Sequence, residues 1–187
     1  MWLTKDQLQD LELAKLGTNV LIDDSVRING SSFISVGSDV RIDAFADLSA
    51  GPGHLVIGNF VHLGHGVCVY AAGGVDMADY SGMSTGVMAF SESDDYRGTS
   101  LTNPTVPEKF RKIHRGRISL GRHAVVGAGS VILPGVALGL GSAAGALTLL
   151  KHDVSDFEIV SGNPQRSVGR RDGEKLAELE TLHAVDI

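Results

Sequence analysis

A six-residue period runs along most of the chain. Each unit begins with an aliphatic residue, usually followed by glycine or another small or acidic residue, and carries a small or β-branched residue four places after the aliphatic one. The clearest stretch starts at Leu120 and reads LGRHAV, VGAGSV, ILPGVA, LGLGSA and AGALTL. About 17 such hexads are present, and their first residues are Ile22, Ile28, Val36, Ile42, Leu48, Ile57, Leu63, Val69, Met77, Met83, Ala89, Leu120, Val126, Ile132, Leu138, Ala144 and Leu150. The fold therefore has to repeat every six residues.

A six-residue unit fits a short strand followed by a turn. An amphipathic helix repeats its apolar positions every three to four residues, and an isolated strand alternates with a period of two. Three strand-and-turn units complete a triangular coil of about 18 residues, and successive coils stack about 4.8 Å apart as parallel strands. The period therefore predicts an all-β protein, a parallel β-helix of about six coils.

Extra residues interrupt the period at four places only. Two follow the Ile28 hexad, three follow Leu48, two follow Val69 and 25 follow Ala89. When the hexads are counted in threes, all four interruptions fall at the same corner of the coil. A β-sandwich with glycine-rich turns would instead place turns every 8 to 12 residues along the chain. The pattern predicts one shared edge for the excursions, with a long loop over residues 90–118.

The composition excludes several classes of protein. Sixteen Lys and Arg stand against 22 Asp and Glu, for a net charge of −6, which disfavours a nucleic-acid-binding protein. The single cysteine, Cys68, allows no internal disulfide. The first residues lack the basic start and apolar run of a signal peptide, and the longest apolar stretch, Ser142 to Leu150, is far shorter than the roughly 20 residues that span a bilayer. We expect a cytoplasmic protein without membrane insertion.

Helices are predicted at both ends of the β-helix, which itself covers residues 18–169. In the N-terminal segment, residues 1–17, Thr4 and Gln7 form a capping box and Gly17 is expected to end the helix. In the C-terminal segment, residues 170–187, three leucines recur on one face of a helix from Asp172 to Val185, namely Leu176, Leu179 and Leu182. Both helices are expected to cap the ends of the prism.

The last repeats resemble a known family. The stretch VGAGSVILPGVALGLGSAAGA, followed by KHDV and VSGNPQRSVGRR, is similar to the hexapeptide-repeat acyltransferases, in particular the sugar O- and N-acetyltransferases related to galactoside acetyltransferase. The resemblance covers about Leu13 to Arg171. It implies a left-handed β-helix, a homotrimer with acetyl-CoA between neighbouring prisms, and acyl transfer to the hydroxyl or amine of a sugar or nucleotide sugar. Surface-polysaccharide synthesis is the context that the family most often implies.

The long loop is where we expect the chemistry, because one long excursion on a tight repeat is seldom needed for folding. In relatives of galactoside acetyltransferase this loop opens with a catalytic histidine, and Asp94 takes that place here. An aspartate is a poor base for a sugar hydroxyl unless burial or neighbouring Asp95 raises its pKa. The base is therefore a perturbed Asp94, a histidine from elsewhere, or unnecessary because the acceptor is an amine. Asp95 and Asn103 are predicted to bind substrate.

Two histidines in VHLGHGV are further catalytic candidates. His62 matches a family position that lines the acceptor site, and His65 lies three residues later. Both imidazoles could accept a proton near neutral pH. The alternative is that they are solvated or packing residues on a corner of the β-helix.

The resemblance also assigns residues to coenzyme A. Ala128 and Ala146 fall where the backbone of relatives meets the pantetheine arm. Basic residues fall where relatives hold the far end of the coenzyme or just beyond, namely Lys151, His152, Arg166 and Arg170. The basic segment Glu108 to Arg117 is a second place that could attract phosphates, those of coenzyme A or of a nucleotide sugar.

Two alternatives are weighed against the acyltransferase. One branch of this fold, the gamma-class carbonic anhydrases, holds zinc with a histidine pair five residues apart, and no such pair is present, so no metal is expected. A non-catalytic trimeric β-helix serving as a scaffold or assembly module would share the fold but bind no coenzyme A.

Overall fold

The structure, a computed structural model, describes residues 1–186, so Ile187 of the predicted C-terminal segment lies outside the described residues. Three sheets form the faces of a triangular prism. The first contains β1 (Lys15–Leu16), β4 (Ile34–Val36), β7 (Leu55–Ile57), β10 (Val75–Met77), β15 (Ile118–Leu120) and β18 (Ala137–Leu138). The second contains β2 (Leu21–Ile22), β5 (Arg41–Ile42), β8 (His62–Leu63), β11 (Gly82–Met83), β16 (Val125–Val126), β19 (Ala143–Ala144), β21 (Glu158–Ser161) and β22 (Arg166–Arg170). The third contains β3 (Arg27–Asn29), β6 (Asp47–Ala50), β9 (Cys68–Ala71), β12 (Met88–Phe90), β17 (Val131–Ile132) and β20 (Leu149–Leu150).

The register of the strands confirms the parallel β-helix. Leading residues of hexads three apart are direct partners, as Ile42 with Leu63 and Leu63 with Met83. Their side chains are buried in the prism and form one aliphatic core. The second sheet has eight strands of which only β22 is antiparallel, so the chain forms about seven coils rather than the predicted six. The additional strands, β1 and β21, lie outside the run of hexads from Ile22 to Leu150.

The four excursions leave one edge of the prism, as predicted. They follow β3, β6, β9 and β12, which are neighbours in the third sheet. The longest one fills the predicted span, because β12 ends at Phe90 and β15 begins at Ile118. A two-stranded antiparallel stem, β13 (Glu92–Ser93) with β14 (His114–Arg115), holds its base together. Short 3-10 turns occupy Ser31–Phe33 and Glu108–Phe110.

The N-terminal helix is shorter than predicted. Helix α1 spans Lys5–Asp10, and the capping box of Thr4 and Gln7 is present. Gly17 does not end it, and the expectation of a helix through residue 17 was wrong, since the chain has already entered β1. Gly17 is needed for another reason: an added Cβ would lie 2.3 Å from the carbonyl oxygen of Gly37 in the next coil.

The C-terminal helix lies along a side of the prism, not across its end. Helix α2 spans Gly173–Asp186, and the exposed edge of β21 is covered by β22 instead. The predicted leucine face of α2 is only partly buried against the prism, since Leu179 and Leu182 are 50% and 55% exposed. The helix contacts the prism through Glu180, which is bound by Arg122 and His123, and through His183.

These contacts attach α2 to a column of aromatic rings. Phe60 stacks on Tyr80 and Tyr80 on His123, with ring centroids 4.7 and 4.9 Å apart. His183 Nδ1 lies 3.0 Å from the Tyr80 hydroxyl oxygen. Hydrogen bonds from Arg122 and then His123 lower the pKa of Glu180 to about 2. Neither helix within residues 1–186 is long and apolar enough to cross a bilayer.

The close approach of coils predicts different effects for two glycine substitutions. A Cβ at Gly37 would lie 2.5 Å from the carbonyl oxygen of Gly58, whereas a Cβ at Gly51 would meet nothing within 4 Å. We expect Gly37→Ala to lower the free energy of unfolding by about 1–3 kcal/mol, because backbone atoms have to move apart. Gly51→Ala is the matched control and should leave stability nearly unchanged. Denaturant unfolding measures both, and equal stabilities would contradict this packing.

Candidate active site

The corner between the second and third sheets brings together three residues with predicted roles. They are His65, Ala128 and Ala146. Together with Thr85, they lie on four successive turns of this corner, in the order His65, Thr85, Ala128 and Ala146. The turns are joined by amide-to-carbonyl hydrogen bonds of 2.8 to 2.9 Å, among them Gly86 to His65 and Leu147 to Ala128. The structure therefore aligns these residues in one column that follows the long axis of the prism.

Over three coils of this corner, the turn residue is glycine and carries no side chain. The turn residues with positive φ are Phe45, Gly66, Gly86, Gly129 and Leu147. A Cβ at Gly66 or Gly86 would meet nothing within 4 Å, while Phe45 and Leu147 at the two ends are 65% and 76% exposed. Four coil steps of about 4.8 Å separate these two residues, or about 19 Å. The corner exposes a strip of small turn residues along the prism, which we call the groove.

A basic cluster lies at the C-terminal end of the prism, where Lys151 and His152 follow β20 of the third sheet. The Gln165 side chain accepts hydrogen bonds from the backbone N–H groups of Lys151 and His152, at 2.9 and 3.2 Å, and donates to the His152 carbonyl. Arg166 is the next residue and pairs with Ser161 in the second sheet. The structure thus brings Lys151, His152 and Arg166 together, and their contact with the coenzyme stays a prediction.

Arg170 is separated from this cluster. It lies four residues from Arg166 on β22, or about 13 Å along an antiparallel strand, and pairs with Glu158. Its guanidinium donates to the Asp156 carbonyl at 3.0 Å. This contact gives Arg170 a structural role, and its predicted contact with the coenzyme stays a prediction.

His62 is held by a carboxylate that the sequence reading missed. Its Nε2 lies 2.8 Å from Asp43 Oδ2, and Arg41 Nε donates to Asp43 Oδ1 at 2.7 Å. Burial raises the pKa of Asp43, but the hydrogen bonds from His62 and Arg41 outweigh it, so that the net pKa lies below its ordinary value. The ionised carboxylate orients the imidazole and fixes Nε2 as the protonated nitrogen of the neutral ring.

A cavity of about 300 Å³ adjoins His62, and Ser84, Gly82, Phe60 and Tyr80 are among its lining residues. Gly82 is the direct strand partner of His62 and leaves the space beside the imidazole open. Ser84 was also missed, because a small polar residue after the leading aliphatic one is typical of the repeat. His65 contributes to the groove instead, where its ring packs edge-on against Phe45 at 5.3 Å.

Asp94 begins the long loop directly after β13. It is half-buried, and its Oδ2 accepts a hydrogen bond from the Asn103 N–H at 3.2 Å. A second cavity, of about 770 Å³, is lined by Asp94 and by basic residues of the loop. His62 and Asp94 therefore line separate cavities within one chain.

Asp95 and Asn103 shape the loop. The Asp95 carboxylate accepts hydrogen bonds from the Thr99 hydroxyl and from the N–H groups of Arg97 and Thr99, and these contacts, the Thr99 hydroxyl foremost, lower its pKa to about 2. Asn103 Oδ1 accepts from the Thr105 hydroxyl and N–H. The substrate contacts predicted for Asp95 and Asn103 stay predictions.

The remaining reactive groups have other surroundings. Burial, followed by the charge of Asp47, raises the pKa of the Cys68 thiol, which disfavours its use as a nucleophile. Within residues 1–186, no three His, Cys, Asp or Glu side chains are grouped so that they could hold a metal ion.

Comparison with curated proteins identifies a relative that matches nearly the whole chain. The dTDP-4-amino-4,6-dideoxy-D-glucose acyltransferase of Escherichia coli is 35% identical over 181 residues, which are 97% of this chain and 94% of that protein. A chloramphenicol acetyltransferase of Klebsiella aerogenes is 26% identical over 117 residues, 63% of this chain and 51% of that protein. No protein-family model matches the chain.

Solved structures give the same result. The N-acyltransferase AntD of Bacillus cereus, in complex with dTDP and 3-hydroxybutyryl-CoA, has a TM-score of 0.93 and 31% identity over 100% of this chain and 98% of its own. Galactoside acetyltransferase in complex with coenzyme A has a TM-score of 0.60 and 17% identity over 92% of this chain and 72% of its own, and shares the fold. This chain belongs to the hexapeptide-repeat sugar acyltransferases, enzymes that use acyl-CoA as the donor.

Proposed function

We propose that this chain transfers an acetyl group from acetyl-CoA to the amine of a dTDP-linked 4-amino-4,6-dideoxy sugar. The observation that carries the proposal is the near full-length match to an acyltransferase of that name, at 97% of this chain and 94% of the relative. A serine-to-alanine variant of AntD, which matches 100% of this chain and 98% of its own, has been solved with dTDP-4-amino-4,6-dideoxyglucose and coenzyme A. The non-catalytic scaffold has no such support.

The chemistry of Asp94 favours an amine acceptor. A neutral amine is already nucleophilic and attacks the thioester carbon directly; the C–S bond breaks, the thiolate of coenzyme A leaves, and the nitrogen loses a proton. A carboxylate suits the ammonium form of such an acceptor, because it binds and orients the charged group. A sugar hydroxyl would need a stronger base than a carboxylate. His62, oriented by Asp43, is the proposed proton acceptor.

A further parallel supports Asp94 and Ser84 as residues of the acceptor site. Variants of AntD with a changed aspartate and with a changed serine have been solved, and these two residues carry the same sequence numbers as Asp94 and Ser84 here. The aspartate variant has a TM-score of 0.94 over 100% of this chain and 98% of its own.

The proposed enzyme is a homotrimer with its active sites between subunits. Asp94 and Ser84 line separate cavities within one chain, so a neighbouring copy has to bring the loop of one subunit to the groove of another. Acyl-CoA would lie along the corner of Ala128 and Ala146, with its phosphates near Lys151, His152 and Arg166. Both proposed co-substrates are cytoplasmic metabolites, so a cytoplasmic location is part of the proposal.

The acceptor class is tested by the release of free thiol. With acetyl-CoA, we expect thiol release and an acetylated product with dTDP-4-amino-4,6-dideoxyglucose and none with dTDP-glucose, which matches it in the nucleotide but lacks the amine. Mass spectrometry of the product locates the acetyl group. Equal release with both sugars, or none with the amino sugar while coenzyme A binds, would contradict an amine acceptor.

The role of His62 is tested through Asp43. Asp43→Asn should lower kcat several-fold, because the imidazole loses the carboxylate that fixes its orientation at 2.8 Å. Arg41 and Tyr80, which also face this site, are unchanged in this variant.

Asp39→Asn is the matched control for this test. Asp39 lies on the same coil as Asp43 and accepts a hydrogen bond from Asn19 at 2.6 Å, away from His62. Its kcat should match the wild type. An unchanged kcat in Asp43→Asn would contradict the proposed role of His62 as the proton acceptor that Asp43 orients.

A further inference from the structure

One wall of the His62 cavity consists of two aromatic rings. Phe60 and Tyr80 are stacked with their ring planes 14° apart, and both line this cavity. They are turn residues with positive φ on adjacent coils, at the corner between the first and second sheets. Ser84 lines the same cavity four residues after Tyr80, or about 13 Å along an extended strand. The cavity therefore crosses the outer face of the second sheet, from the rings at one corner towards the groove at the other.

The C-terminal helix contacts the same two rings outside the His62 cavity. Phe60 and Tyr80 also line a cavity of about 370 Å³ to which α2 contributes Leu176 and Leu179. The ring of His183 packs edge-on against Phe60 and Tyr80, with ring centroids 5.0 and 5.7 Å apart. Its Nδ1 lies 3.0 Å from the Tyr80 hydroxyl oxygen. Each ring is thus shared between the His62 cavity and the contact with α2.

A charged network fixes α2 beside these rings. The Glu180 carboxylate accepts a hydrogen bond from Arg122 Nε at 2.8 Å and lies 2.6 Å from His123 Nε2. Arg122 also donates to Asp79 Oδ2 at 2.8 Å, and its guanidinium carbon lies 4.8 Å from the centroid of the Tyr80 ring. Glu180 is ionised at neutral pH, so its bond with Arg122 is charge-assisted. The position of the Tyr80 ring therefore depends on the contact between α2 and the prism.

Simple burial does not account for the way α2 packs. A helix that only stabilised the prism would bury its leucines, because apolar burial is the larger stabilising term. Leu179 and Leu182 are instead half exposed, whereas Glu180 and His183 contact the column of rings. The helix thus places a carboxylate and an imidazole against residues that line the His62 cavity.

We propose that Phe60 and Tyr80 form the wall of the acceptor site that faces the groove, and that His183 is a positioning residue for this wall. The presence of the acceptor beside His62 rests on the proposed function. His183 holds the Tyr80 ring in the wall through the Tyr80 hydroxyl. Loss of this hydrogen bond releases the ring and weakens binding of the acceptor, whereas coenzyme A, assigned to the other corner, binds as before.

Steady-state kinetics with acetyl-CoA and dTDP-4-amino-4,6-dideoxyglucose test this assignment. Tyr80→Phe keeps the ring and removes only the hydroxyl. We expect Tyr80→Phe and His183→Ala each to raise the KM for the amino sugar about fivefold, the effect of one neutral hydrogen bond, and to leave kcat within about twofold of the wild type. The KM for acetyl-CoA should stay unchanged.

The double variant separates positioning from direct contact. Adding Tyr80→Phe to His183→Ala should raise the KM no further, because both substitutions remove the same hydrogen bond. His183→Asn, whose amide oxygen takes the place of Nδ1, should return the KM close to the wild-type value. Lys175→Ala is the matched control on the same helix, because Lys175 pairs with Glu178 at 2.8 Å and takes no part in the ring contacts.

Each other outcome contradicts a defined part of the proposal. Additive losses in the double variant would show that the Tyr80 hydroxyl acts without His183 and would overturn the positioning role. An unchanged KM in both single variants, or an equal rise in Lys175→Ala, would overturn the wall. A wild type that binds coenzyme A but does not acetylate the amino sugar contradicts the proposed function, whereas an active wild type with unaffected variants contradicts this inference alone.

Discussion

The stacking of one coil directly on the next determines most of this structure. Successive coils lie so close that a Cβ at Gly17 would meet the backbone of Gly37, and one at Gly37 would meet that of Gly58. Side chains that point inward fill an aliphatic core, and residues about 20 positions apart become neighbours on the surface. Extra residues are accommodated only where the chain turns between the third and first sheets.

The candidate site follows from this geometry. Asp43 and His62 are 19 residues apart and share a hydrogen bond because they lie on adjacent coils. The groove arises because the corner between the second and third sheets carries glycine at the turn position of three coils, namely Gly66, Gly86 and Gly129. The long loop leaves from a different corner, and this separation is the physical reason for proposing that two copies of the chain build one active site.

Much of the architecture could be predicted from the sequence, because the six-residue period reports directly on the side-chain positions that face the core. The first strand, Lys15–Leu16, was missed although Leu16 lies one period before Ile22, and the last coil was missed because Glu158–Ser161 does not continue the period beyond Leu150. The leucines of α2 were predicted to form the face that packs on the prism. Glu180 and His183 instead fix which face packs there, through polar contacts with residues more than 50 positions away. Asp43 and Ser84 match ordinary positions of the repeat, so the sequence gives no signal that separates them from neighbouring acidic and small residues.

We propose that acyl transfer occurs between the groove of one copy and the loop of another. Co-expression of Asp94→Ala, which changes the loop, with Ala146→Trp, which blocks the groove at an exposed corner, tests it directly. If each variant alone is inactive, random assembly leaves about a quarter of the interfaces with an intact groove facing an intact loop. We expect the mixed oligomer to recover about that fraction of wild-type activity. A mixture no more active than the separate variants would contradict a site shared between copies.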